Sequence, residues 1–200
     1  MDLSEKLSTK CVKFITNSLE KDEEELEKVN YGLQVIFVNL FKLTILFLFA
    51  FVFGILGYTF AAFISFAILR TFAAGVHADS NLKCTITNIV LFIGNVYLST
   101  ILVLNNTTII ILFILSLLLI LIYAPADTED RPLPSKKLRK RLKINCAVIT
   151  IVLAMIDISI IPGIYRHIIV ISVLEEALLV TPVAYMLFRK KYKNYEKIDL

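Results

Sequence analysis

The sequence predicts an all-α polytopic membrane protein, with about six transmembrane helices preceded by an amphipathic interfacial helix. Three observations predict it. Of the 200 residues, 58% are hydrophobic and the mean hydropathy is +0.77, whereas a soluble domain is about 45–50% apolar. The excess collects in runs of roughly 18–22 residues, long enough to cross a hydrocarbon core of about 30 Å. Lys and Arg avoid those runs and concentrate between alternate ones, as topology signals do.

The elements follow in order. In residues 3–29, Leu3, Leu7, Cys11, Phe14 and Leu19 recur at helical spacing among Lys6, Lys10, Lys13 and Lys21. That pattern predicts a helix lying along the membrane surface, with a solvated acidic end from Glu20 to Lys28. Candidate spans then cover about 33–53, 54–73, 86–104, 107–124, 145–164 and 168–188, read from apolar run length. Gly54 and Gly57 turn the first into the second. Asn105 to Thr108 make a polar turn between the third and fourth, and Pro162 with Gly163 closes the fifth. The expected organisation is an interfacial segment 1–30, one six-helix domain 31–188 and a basic tail 189–200.

All but Lys42 and Arg166 of the 21 Lys and Arg residues fall in the N-terminal segment, the 70–84 strip, the 125–143 loop or the tail. The positive-inside rule therefore puts both termini and those loops in the cytoplasm of a bacterial cell membrane. No cleavable signal peptide is expected, because the first 30 residues are studded with charge. Three scattered cysteines give no disulfide framework and no zinc-type pair. No metal, cofactor or nucleic-acid partner is expected.

Lys42, Asp157, Glu175 and Glu176 fall inside predicted spans. Intramembrane charges cost about 2.5–3.5 kcal/mol each on insertion scales, so each asks for a purpose. Two readings stand: Lys42 pairs with one carboxylate in a structural arrangement, or the set forms the pathway of a small transporter or peptide exporter.

Chemistry is concentrated in the polar strip from Arg70 to Cys84, which holds His77, one of two histidines, and Cys84. An imidazole and a thiol are the parts of a cysteine nucleophile and its base. Seven residues along a straight helix is about 10.5 Å, too far for contact, so a dyad needs a break. Asp79, Ser80 and Asn81 are turn and N-cap residues. A cap at Ser80 or Asn81 would put Cys84 in the first turn of the third span, where the helix terminus favours a thiolate. Gly75 would let the chain turn before His77. Asp79 is a candidate to orient the imidazole, and Arg70 is either a substrate-binding cation or a snorkelling anchor. On spacing alone an inert thiol is the better reading. Cys11 and Cys146 have no nearby histidine, and His167 falls on the opposite side.

The loop from Ala124 to Lys143 carries Pro125, Pro132 and Pro134, then Lys136, Lys137, Arg139, Lys140, Arg141 and Lys143. It reads both as a lipid-headgroup anchor, each cation being worth about 1 kcal/mol, and as a docking surface for an acidic peptide.

Together these residues resemble a known family. The pattern Arg70-x-x-Ala73-x-Gly75-x-His77-Ala78-x-Ser80-x-x-x-Cys84, and then Tyr123-Ala124-Pro125-Ala126-Asp127-Thr128 before Pro132-Leu133 and a basic run, is similar to the accessory gene regulator protein B family, membrane endopeptidases of Gram-positive quorum sensing. The resemblance covers nearly the whole chain, though Ala74 stands where family members vary around a glycine pair. It implies that Cys84 is the nucleophile and His77 its base. The implied substrate is a small propeptide with an amphipathic leader, a signal segment and an acidic C-terminal tail. The tail is released through a Cys84 thioester, enabling closure of a thiolactone or lactone ring. The resemblance also implies a homodimer.

Overall fold

The structure is a computed structural model that describes residues 23–78, 80–129 and 131–197. The amphipathic pattern Leu3–Leu19, with Cys11, lies outside the described residues, as does Asp79. Seven α-helices are described: α1 (Glu23–Val52), α2 (Leu56–Ala73), α3 (Asn81–Ile101), α4 (Asn106–Tyr123), α5 (Lys136–Ser159), α6 (Ile164–Leu179) and α7 (Pro182–Leu187), followed by a 3₁₀ turn, Asn194–Lys197. All-α polytopic architecture is what the apolar runs predicted.

Contacts divide the chain between Val52 and Phe53. In the first unit, α1 runs 30 residues without a break, so the predicted boundary between interfacial segment and span near residue 31 falls inside one helix. Its exposed first turns carry an i,i+4 ion pair, Lys28 to Glu24 at 2.7 Å, of the kind that supports a solvated helix end.

The second unit is a bundle built around α6, which packs against α2, α3, α4, α5 and α7. Ile168 to Val173 are all buried, with Glu176 and Ala177 a turn later, so α6 is enclosed on every face. A helix surrounded by protein rather than lipid need not match the bilayer thickness. At 16 residues it is about 24 Å long. Here the structure redraws the predicted 168–188 span: α6 stops at Leu179 and α7 begins at Pro182. Pro182 has no N–H to continue the helix, and the Thr181 side chain caps the new one by accepting from Ala184 N–H.

Five of the described helices, α1 to α5, are long and apolar enough to cross a membrane. Their outward faces are apolar too: Ile111, Ile114, Leu118 and Ile122 on α4, and Val148, Ile151 and Met155 on α5, are all exposed. Water would penalise such a surface, whereas lipid tails accept it. Beneath it lies a core joining Leu69, Phe113, Ile120, Cys146, Val170, Val173 and Tyr185.

The basic run is helical rather than loop. α5 starts at Lys136, where Ser135 accepts a hydrogen bond from Leu138 N–H. Lys and Arg are good helix formers with stems that lie along apolar surface, so the run extends the fifth span into the predicted loop.

Candidate functional site

The site begins at the end of α2. The helix stops at Ala73, and Ala74 (φ +58°) and Gly75 (φ +116°) turn the chain sharply. Residues 75–78 then run without helical structure. Ser80 restarts the chain as a helix, its side chain accepting from Lys83 N–H at 3.2 Å. Cys84 sits in the first turn of α3, its N–H bonded to Ser80 O at 2.9 Å. Its thiol is free and half-buried, while His77 is exposed. His77 thus lies within a break between two helices and Cys84 in the first turn of the second, instead of two turns apart on one helix.

Arg70 gathers the strip. Its Nη2 donates to Val76 O at 2.5 Å and lies 3.4 Å from His77 Nε2. Its Nη1 donates to Glu176, 3.1 Å from Oε2 and 3.4 Å from Oε1. Glu176, on α6, is wholly buried. Arg70 is therefore neither a lipid-facing anchor nor an unengaged substrate cation. Gly75 is required twice over: its φ is hostile to side chains, and a Cβ there would run into Arg70 Nη1 and sit 3.2 Å from Leu179 O.

The second loop is tied to the first. Gly75 N–H donates to Ala126 O at 2.8 Å and Ala126 N–H to Ala73 O at 2.9 Å, a parallel bridge of a single residue pair. Next to it, the buried Asp127 carboxylate accepts from Leu133 N–H (3.4 Å), Asn194 N–H (3.0 Å) and Tyr195 N–H (2.7 Å). Its carbonyl accepts from Tyr185 Oη at 2.8 Å. Asp127 thereby fastens the C-terminal tail over the loop, a role the sequence signalled only through its place beside Ala126 in the second motif.

A groove of about 310 Å³ lies here, lined by Ala126 and Asp127, by Arg139, Lys140 and Lys143 of α5, and by Tyr192 of the tail. Burial pushes the Tyr192 phenol up to about 12, so it faces the groove uncharged. Arg139 is already engaged, donating to Leu133 O (2.6 Å) and Pro134 O (2.9 Å) and stacking 3.8 Å over the Tyr195 ring. Lys143 donates to Leu121 O at 2.8 Å. Lys136, Lys137 and Lys140 are exposed on the first turns of α5. The predicted basic residues therefore divide into a structural clamp, Arg139, and exposed cations, of which Lys140 lines the groove.

The intramembrane acids have partners that sequence reading missed. Asp157 pairs with Arg166 at 3.8 Å, Glu175 accepts from Asn95 Nδ2 at 3.1 Å, and Glu176 holds Arg70. Within the second unit, the carboxylate partners are thus two arginines and an asparagine. Among the described residues, no three of His, Cys, Asp and Glu stand together as a metal would require.

The family model described as "Accessory gene regulator B" matches residues 8–181. The chain is 33% identical over 195 residues to a putative AgrB-like protein of Clostridium acetobutylicum, covering 98% of this chain and 93% of that one. It is 33% identical over 178 residues to a putative AgrB-like protein of Listeria innocua, covering 89% and 87%. It is 35% identical over 159 residues to accessory gene regulator protein B of Staphylococcus intermedius, covering 80% and 84%. No solved structure matches.

Proposed function

This chain belongs to the accessory gene regulator B family, and from that premise we propose that it is an integral-membrane cysteine endopeptidase acting on a quorum-sensing propeptide, with Cys84 as nucleophile and His77 as base. The observation that carries the reading is the break at 74–80. It frees His77 from the helix that bears Cys84 and holds Cys84 one turn behind an N-terminal cap.

The chemistry follows from these two groups. His77 takes the proton of the Cys84 thiol as the sulfur attacks the scissile carbonyl. Collapse of the tetrahedral intermediate breaks the C–N bond, and His77 returns the proton to the departing amine. The remaining peptide is held as a thioester. A thiol or hydroxyl within that peptide then attacks the thioester carbonyl, closing a thiolactone or lactone and restoring the Cys84 thiol. Transfer between thioesters changes bond energy little, so the step depends on excluding water. The groove beside Ala126, with Lys140 and Lys143 on its wall, suits the acidic tail of such a propeptide by charge. Both termini and this site are proposed to face the cytoplasm, and the enzyme to act as a homodimer.

Co-expression with a candidate short propeptide of amphipathic start and acidic end tests the reading by a mass shift on gels. Cys84→Ala and His77→Ala are each expected to abolish cleavage, while Cys11→Ala and Cys146→Ala are expected to retain it. Full cleavage by Cys84→Ala would refute the proposal.

A further inference from the structure

Glu176 is a wholly buried carboxylate that the proposed reaction does not use. It sits on α6, 106 residues from Arg70 in sequence, and both of its oxygens lie within 3.4 Å of Arg70 Nη1. The same guanidinium presents Nη2 to Val76 O and His77 Nε2. One turn further along α6, Leu179 O accepts from Val76 N–H at 3.4 Å. The end of α6 therefore grips the His77 stretch at two points, one through backbone and one through Arg70.

We infer that Glu176 is a positioning residue, acting through Arg70 and Val76 to fix the placement of His77. The inference rests on the Cys84–His77 reading above. A guanidinium is planar and rigid, so a carboxylate that fixes Nη1 also fixes where Nη2 points. Arg has donors only, so at rest its 3.4 Å contact occupies the single lone pair of a neutral His77, and Nε2 must be released from it before it can take a proton. The hold on the His77 stretch that persists is the one on Val76, whose O accepts from Arg70 Nη2 and whose N–H donates to Leu179 O. Without Glu176 the guanidinium would be a buried cation lacking its counter-charge, free to leave both Val76 O and His77. The neighbouring Glu175 serves as an internal comparison: it is bonded to Asn95 on another face of the same helix.

Alkylation of Cys84 by iodoacetamide, followed at that residue by mass spectrometry of the purified full-length protein in detergent, needs no substrate. Glu176→Gln is expected to slow it about tenfold, since small misplacements of a catalytic group cost rate steeply. Glu176→Asp, which keeps the charge, is expected to recover part of the loss, and Glu175→Gln to leave the rate unchanged. In a His77→Ala background, Glu176→Gln is expected to have no further effect, which a merely structural role would not produce. Arg70→Gln/Glu176→Gln removes both buried charges together, avoids a folding penalty from a lone ion, and is expected to alkylate as slowly as Glu176→Gln.

A Glu176→Gln effect that is missing, or that survives loss of His77, would overturn the inference while leaving the dyad intact. A wild-type rate in the Arg70→Gln/Glu176→Gln protein would do the same. An unchanged rate in His77→Ala alone would remove the dyad, and the role of Glu176 with it.

Discussion

Ala74 carries a φ of +58° and Gly75 one of +116°, so two consecutive residues adopt backbone angles that crowd an L side chain. Only the second is a glycine. Ala74→Gly is therefore expected to relieve strain and stabilise the protein by about 1 kcal/mol, net of the added freedom of the unfolded chain. Gly75→Ala is expected to destabilise by about 2 kcal/mol or more, because strain and overpacking against Arg70 act together. Thermal unfolding of the two variants in detergent checks both signs, and a fall in both would contradict the account. The adjacent alanine and glycine look interchangeable in the sequence. The opposite signs follow from positive φ values that favour glycine at both positions, and the close approach of Arg70 Nη1 adds to the cost at Gly75, which no local pattern reveals.

The helices were legible where their cause is local. Ser80 and Asn105 each cap the helix that follows, accepting from Lys83 and Thr108 N–H, and capping chemistry is readable from residue type. Ser135, which caps α5 by accepting from Leu138 N–H, lies in the stretch expected as loop. Ser80→Ala is expected to cost about 1 kcal/mol and to speed hydrogen exchange across residues 81–85, the turn bearing Cys84. Ser80→Asp, which still accepts, is expected to behave as wild type, and unchanged exchange in Ser80→Ala would argue against the cap. The final span was misjudged because hydropathy averages over length. Residues 168–188 are apolar enough for one helix, but Thr181 and Pro182 end it and start another. Apolar content also could not separate α6, enclosed by protein, from α4, whose outer face meets lipid.

At the scale of the bundle, Asp127 joins parts of the chain that lie far apart in sequence. Its carboxylate takes three backbone N–H groups, two of them from the tail at Asn194 and Tyr195. Asp127→Ala leaves buried donors unsatisfied and is expected to cost about 2–4 kcal/mol. The same change is expected to expose the chain after Phe188 to limited proteolysis, while resistance equal to wild type would show that the tail is held otherwise. The Ala74–Ala126 bridge lies beside this clamp, so loosening the tail is also expected to lower Cys84 alkylation.

The sequence by itself determined the all-α membrane class, most of the long apolar helices and the separation of His77 from Cys84 by a capped break. Run length, capping and turn residues act within a few positions, so their consequences are written locally. The tertiary structure alone decided that Glu176 holds Arg70, that Ala126 is bonded to Gly75, and that Asp127 receives the tail. Each of these bonds joins residues from separate elements. A buried charge finds its partner through the packing of helices around α6, and that packing has no period or motif from which to read it.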